Sequence, residues 1–471
     1  MSVIKRMDLP DGWRIVSLEV VAEINPKIDK SRIADNTIIS FVPMIAVGAG
    51  DGRIDTSIKK HFSDVKKGYT PFQPYDVLFA KITPCMENGK IAVVPALHNN
   101  LGFGSTEFHV IRPKEGIDPR YICYYISRLD YRKEAASKMT GAVGQKRVPV
   151  DFIKSSTIPL APLNEQKLIV AEIEKQFSRL DEAVAALKRI KATLKRYKAS
   201  VLKAAVEGKM TEQWRKEQPD VEPADKLLKH ILAERLKKWE EANPKKKYKE
   251  PAAPHTSNLP ELPKGWVWAT WEMILAPEEG AFRRGPFGSA LKKSIFVESG
   301  YKVYEQYCPI NNDPSFARYF ITEEKYREME QFSVKARDFL ISCSGVTLGR
   351  ITQIPNKYHP GIINQALLRV RLNNRVIDDA YFIILFRSPY FQQRIFDNSQ
   401  GAAIPNVKGV NELKAIPLPL PPLDEQIVIA QVVEEKQSII SELEQQFDLN
   451  LKRAERLRQS ILKKAFSGKL V

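Results

Sequence analysis

Apolar positions along this chain change period twice, and the changes divide it. Through residues 1–157 they come in short or alternating runs: IISFVPMIAV at 38–47, DVLFAKI at 76–82, KIAVVPAL at 90–97 and STEFHVIRP at 105–113. Gly and Pro break these runs, which is the pattern of strands joined by turns. A helix is predicted at 118–138, where Asp118-Pro119 makes a start and YICYYISRL supplies an apolar face. Then the texture changes. Pro159 and Pro162 give an extended approach, Asn164 is the expected N-cap and Glu165 lies in the first turn. From there to Gly208 the chain has neither Gly nor Pro. Ile173, Phe177, Leu180, Val184 and Leu187 step by four and three, and the series resumes at Ile190, Leu194, Tyr197 and Val201. At ~1.5 Å per residue, this is a coiled-coil-like helix roughly 60 Å long.

The second half repeats the plan. Strand-like runs at 337–343, 350–355 and 362–372 precede a helix near 378–396. Pro421-Pro422 lead to Asp424 as N-cap, and a second unbroken helix runs to Gly468. Its seam is Leu443, Phe447, Asn450, Ala454, Leu457 and Ile461, with Asn450 either a register-setting polar knob or a solvent-facing residue. Packing one long helix against the other is the economical solution. Between the halves, 224–242 reads as an amphipathic helix on Leu228, Ile231, Leu232, Leu236 and Trp239, broken at Pro244 and followed by a basic, Pro-rich linker. That helix either covers an apolar patch on one lobe or docks a partner.

The repetition is literal. IPLAPLNEQ at 158–166 and LPLPPLDEQ at 418–426 stand 260 positions apart. GAVGQ at 141–145 matches GAAIP at 401–405, and KASVLKAAVEGKM at 198–210 matches RQSILKKAFSGKL at 458–470, both at that same offset. LPDGW at 9–13 and LPKGW at 262–266 are offset by 253, so the stretches in between differ in length. Two halves, each variable and then length-fixed, suggest two reading heads on one ruler.

Charge narrows the function. Lys plus Arg total 73 against 56 acidic residues, a net +17, which points to a polyanion partner with nucleic acid ahead of a membrane surface. The four cysteines are too scattered for a zinc site or a disulfide framework and read as reduced, packed thiols. The start lacks the apolar core of a signal peptide and no run is long enough for a membrane span, so a cytoplasmic protein is expected. There is no GxxxxGK phosphate loop, no Gly-rich strand-to-helix turn for S-adenosylmethionine or a dinucleotide, and no paired Cys/His spacing. GAGDG at 48–52 reads as a strand-to-strand loop, and the six histidines are isolated.

With these segments in view, the chain resembles the specificity subunit of type I restriction–modification systems. The resemblance is carried by the LPxGW openings, by DVLFAKITPCMENGKIAVV at 76–94 and FGSTEF at 103–108, and by RGPFGSALKK at 284–293. ISCSGVTLGR at 341–350, INQALLRVR at 363–371 and the paired PLxEQ and GKL-type segments complete it. It implies an α+β fold: target-recognition domains at 1–157 and 263–416, on antiparallel long helices at 158–211 and 417–471, with a linker at 212–262 and a pseudo-two-fold internal repeat. It implies a non-catalytic subunit that reads a bipartite double-stranded DNA target. Two modification subunits would carry S-adenosylmethionine, and restriction subunits would use ATP and Mg. A self-contained methyltransferase or nuclease with fused recognition domains is the alternative.

Turns between strands are the natural place for DNA contacts. In the first domain the candidates are Lys81, Glu87, Asn88 and Lys90, with Gln145, Lys146 and Arg147 before the long helix. In the second they are Arg283, Arg284, Ser289, Lys292, Lys293, Ser344, Thr347, Arg350, Asn364 and Gln365, with Asn406 and Lys408. Ser344 and Asn364 could equally satisfy backbone groups, and Lys292 and Lys293 could meet phosphates. Residues 188–203 hold seven basic residues and no acidic one. Given the resemblance, Lys188, Arg189, Lys195, Arg196 and Lys198 are expected to dock acidic patches of the modification subunits, against the alternatives of passing DNA or a solvated face.

Overall fold

The computed structural model describes residues 9–142, 144–286, 288–345, 347–396 and 406–471, and at 288 and 289 the backbone alone. The repeat at 401–405 lies outside the described residues. The chain forms two compact units, 1–189 with 446–471, and 190–445.

The first unit is built on two four-stranded sheets. One orders Ala22–Ile24, Phe108–Pro113, Val77–Ala80 and Ile91–Val93, all antiparallel. The other orders Lys59–His61, Ile38–Val42, Gly102–Gly104 and Thr70–Phe72, with the middle pair parallel. Val77–Ala80 is buried on both faces. Side chains alternate, so Val77 and Phe79 enter one apolar cluster while Leu78 and Ala80 enter another. Gly102 is required by close packing, since a Cβ there would lie 2.1 Å from the Phe72 ring. GAGDG is a loop, with Val47 bridging Ile54 across it.

The second unit follows the same plan with fewer strands. Phe282–Arg284, Leu367–Val370, Phe339–Ser342 and Ile351–Gln353 form an antiparallel sheet, and Tyr319–Ile321, Tyr301–Tyr304 and Gly361–Ile363 a smaller one with a parallel pair. The run 362–372 is thus two strands in different sheets, separated by the turn at 364–366. Each predicted lobe helix is two helices. Pro119–Ile126 and Leu129–Ser137 are parted by extended Arg128, and Asp379–Arg387 and Pro389–Ile395 by Ser388, which the following proline holds out of the helical region.

The repeated motifs are the joints between lobe and helix. Arg14–Ser17 pairs antiparallel with Thr157–Leu160, and Val267–Thr270 with Pro417–Leu420, so the expected extended approach is a strand. The Trp13 indole N–H donates to Glu165 Oε2 at 2.7 Å, and Trp266 donates to Glu425 Oε2 at 2.8 Å. Gln166 Nε2 donates to the Ala161 carbonyl while its Oε1 accepts from the Asp118 N–H; Gln426 does the same with Pro421 and Asp378. The Tyr121 and Tyr381 hydroxyls donate to the carbonyls of Pro159 and Pro419. The LPxGW and LxEQ motifs are therefore two sides of one latch, made twice.

The long helices span Leu163–Val206 and Leu423–Ala465. They start one residue ahead of the expected caps, because the carbonyls of Pro162 and Pro422 accept the first helical hydrogen bonds from Gln166 and Gln426. Within the first unit the two helices run antiparallel. Arg458 pairs with Asp181 and lies over the Phe177 ring, whereas Gly468 comes to Pro10, beside Glu165 and Ile169. Phe466 packs edge-on to Tyr121 and Tyr125 in the core. In the second unit, Thr211 and Arg215, just past the end of the first helix, bond Glu425 at the start of the second. Both helix-ending glycines adopt positive φ, and each packs against the proline of an LPxGW motif, Gly208 on Pro263 and Gly468 on Pro10.

A continuous apolar seam is not found. Ile190, Tyr197, Leu443 and Leu457 are exposed, whereas Ile173, Leu194, Val201 and Ile461 of the same series are buried. Packing on the first lobe adds buried positions outside the series, at Ile169, Val170, Leu462 and Ala465. Asn450 is half-buried and accepts from Arg453 on its own helix. The insertion helix, Ala224–Ala242, lies on the second lobe. It buries Leu228 and Ile231, Glu234 pairs with Arg375, and Arg235 donates to the Glu272 carbonyl. Among the described residues no helix is long and apolar enough to cross a membrane.

Candidate DNA interface

In the first lobe the candidates converge where Val77–Ala80 ends. The Lys81 N–H donates to the Glu107 carbonyl, the Val148 N–H to the Lys81 carbonyl and the Thr83 N–H to the Lys146 carbonyl. Ile82 and Arg147 form a bridge. Lys81, Gln145, Lys146 and Arg147 thus share one patch, with Gln145 and Lys146 exposed. The Arg147 guanidinium binds both oxygens of Glu107, at 2.8 and 2.9 Å, and this holds the Glu107 carboxyl below the usual carboxylate range. Glu107 was missed in the sequence, although GSTEF contains it. Glu87 and Asn88 are exposed on the adjoining turn. The Lys90 ammonium donates to the Met44 carbonyl at 2.8 Å and so holds the short helical turn Met44–Ala46 in place. Beneath the patch, His109 Nε2 meets the Val148 carbonyl and Nδ1 meets Asn25 Nδ2, the pairing of a neutral ring, and burial pushes its pKa down.

The second lobe builds the equivalent place from other residues. Ser344 and Asn406 form the bridge that Ile82 and Arg147 form in the first, and the Val407 N–H donates to the Cys343 carbonyl as Val148 does to Lys81. Arg284 Nη2 donates to Asn406 Oδ1 at 2.9 Å. Gln306 Nε2 donates to the Ser344 carbonyl at 2.7 Å, and Asn364 Oδ1 accepts from the Ala366 N–H. Arg284, Ser344, Asn364, Gln365 and Asn406 are brought together, with Thr347 on the same loop. Asn364 serves the backbone of its own turn. Gln306, missed in the sequence, follows a strand that the apolar pattern did not reveal.

The remaining candidates lie elsewhere. Arg283 donates to Gln331, Lys292 and Lys293 are exposed on a separate short turn, and the Lys408 N–H donates to the Ile395 carbonyl. The side chain of Ser289 lies outside the described residues. Arg350 faces a cleft with Lys195 and Lys198. One further pair was invisible in sequence: Ile45 and Tyr307 follow the equivalent strands Ile38–Val42 and Tyr301–Tyr304 at the same step, and are 87% and 42% exposed. Three of the four thiols are buried; burial pushes Cys123 and Cys343 up to about 12, as expected of packed groups. No cluster of three or more His, Cys, Asp or Glu is placed to hold a metal among the described residues.

Comparison with known proteins decides the family. The family model for the type I restriction modification DNA specificity domain matches residues 10–196 and 287–453. The chain belongs to this family. It is 29% identical over 481 residues to the type I restriction enzyme EcoAI specificity subunit of Escherichia coli, covering 92% of this chain and 78% of that one. It is 33% identical over 315 residues to the EcoEI specificity subunit of Escherichia coli, covering 58% of this chain and 52% of that one. Among solved structures, the HsdS subunit from Thermoanaerobacter tengcongensis aligns with a TM-score of 0.56 at 20% identity, over 99% of this chain and all of that one. A chain of a type I restriction–modification assembly aligns at 0.68 and 22%, over 98% of this chain and 99% of that one. The fold is that of a specificity subunit, with two recognition domains separated by a long helix. The protein is the non-catalytic, DNA-recognising member of a type I restriction–modification system, and the self-contained enzyme is not favoured.

Proposed function

We propose that the chain reads a split double-stranded DNA target, one half-site per lobe, while its long helices scaffold two modification subunits and the restriction subunits. One observation carries this reading: the two lobes share a frame but hold different polar pairs at the same place in it. Arg147 and Asn406 stand at the same position, but Arg147 pairs with Glu107, which precedes the strand Phe108–Pro113, whereas Asn406 pairs with Arg284, at the end of the strand Phe282–Arg284. A frame that repeats while its polar tips do not suits two half-sites of different sequence, because base edges are told apart by donor and acceptor pattern. The basic strip with Lys188, Arg189, Lys195, Arg196 and Lys198 suits acidic surfaces of the modification subunits. S-adenosylmethionine, ATP and Mg would then belong to the partners, and the assembly would act in the cytoplasm.

Co-expression with partner subunits, followed by methylome sequencing of the host, tests this. A bipartite motif is expected, and a contiguous motif would overturn the reading. Arg284→Ala should relax positions in one half of the motif only. Inserting four residues, about one helical turn, into each long helix should change the accepted spacer and leave both half-sites intact.

A further inference from the structure

Each unit holds a cleft between its lobe and the long helix that ends there. The two clefts are one place in the repeat: Leu462, Arg458 and Glu455 line the first where Leu202, Lys198 and Lys195 line the second, all 260 positions apart. Their electrostatics differ. The first, about 620 Å³, is internally paired, with Arg458 on Asp181 and Arg120 on Glu174. The second, about 460 Å³, is lined by Lys195, Lys198, Arg350 and Arg387 and by no carboxylate. Among the described residues none of these four side chains has an ion-pair partner. Burial lowers the Arg387 pKa, and the Arg350 charge lowers it further. The remaining wall is mostly apolar, with Leu202, Pro309, Ile310 and Ile351, and its polar members are the uncharged Asn312 and Gln392.

Unpaired like charges around a concavity repel one another, and an anion seated among them relieves that repulsion. A duplex backbone is convex and polar throughout, so it leaves an apolar-walled pocket unfilled. An acidic segment bearing one apolar side chain satisfies both the cations and the wall. We propose that the cleft between the second lobe and the end of the first long helix receives such a segment from a modification subunit. The proposal rests on the docking reading above and moves Arg350 from the DNA set to the docking set.

The full chain is titrated with the modification subunit of its own system by calorimetry, and separately with target duplex by fluorescence anisotropy. The variants are Lys195→Glu with Lys198→Glu, Arg387→Gln, and, outside the cleft, Lys188→Glu with Arg189→Glu. Melting curves check that each is folded, and the milder Arg387→Gln keeps the test valid if the double reversal unfolds. The double reversal should weaken subunit affinity at least tenfold and Arg387→Gln about threefold, with duplex affinity within twofold of wild type. Loss of duplex affinity with subunit affinity intact would overturn the proposal in favour of DNA. Weakening by the 188/189 pair alone would leave the docking reading standing and remove this cleft from it. No weakening by any variant would remove both.

Discussion

The two latches, Trp13–Glu165 and Trp266–Glu425, perform one task in different surroundings. Glu165 is half-exposed and, among the described residues, takes the indole N–H alone. Glu425 is 0% exposed and is also bound by Thr211 and Arg215. In the second unit the stretch after the first helix folds back over the latch and supplies those two partners. The comparison shows how a repeated joint can pass from a wet to a dry setting: the carboxylate stays, and a cation must be added, because a buried charge is tolerated only when paired.

The sharpest way to break that comparison is to remove each carboxylate. Glu425→Ala leaves Arg215 without its partner and is expected to destabilise the second unit by about 3–5 kcal/mol. Glu165→Ala should cost only about 1.5 kcal/mol, the loss of one hydrogen bond to a charged acceptor. Urea denaturation of both variants measures this, and equal losses would show that burial is not what separates the latches. Next in size, Gln166→Leu and Gln426→Leu each leave a helix-start N–H, at Asp118 or Asp378, without its acceptor. Both should lose about 1–3 kcal/mol, and by similar amounts, since these two joints are alike. A difference well outside that range would end the claim that they are equivalent.

On DNA, Arg147→Ala and Arg284→Ala should each lose about 1–3 kcal/mol of discrimination, in opposite halves of the target. Anisotropy on duplexes mutated one half at a time reads this out, and loss in the same half would refute one reading head per lobe. The smallest effect concerns pH. His109 is buried and neutral, with its pKa pushed down mainly by burial, while Lys81 lowers and Glu107 raises it; the second lobe has Leu368 in its place. Its folded pKa lies below the unfolded value near 6.5, so the unfolded chain takes up the proton first. The stability contributed is present above about pH 6.5 and is lost as the pH falls toward the folded value. Between about pH 6.5 and about pH 5, above the carboxylate range, acid titration of the melting curve should show a loss confined to the first unit, and His109→Gln should abolish it.

Much of the frame was legible, because it lies in long periodic helices and in motifs that recur at a fixed offset. Pro-Leu-x-Glu-Gln announced the joint twice, though nothing in the letters said that its Glu meets the Trp of a motif some 150 residues earlier. Strands such as Gly102–Gly104 and Tyr301–Tyr304 were missed because three- or four-residue strands carry too few alternations to show a period. The heptad suggested a continuous seam, yet Ile190 and Leu457 are exposed while Leu194 and Ile461 of the same series are buried, and packing on the first lobe adds buried positions outside it. In the proposed recognition patches, several of the candidates named from the sequence come together on neighbouring loops. The sequence could not tell a side chain aimed outward from one, like Lys90 or Asn364, that holds its own turn, because that depends on distant carbonyls and amides.

Phe466, wedged beside Tyr121 and Tyr125, has a consequence for synthesis. The stretch 446–471 that closes the first unit leaves the ribosome after every residue of the second unit has emerged. Folding during translation usually completes the earlier part first. Here the lobe made first is finished last, and until Phe466 arrives its tyrosine-lined face stays open to water.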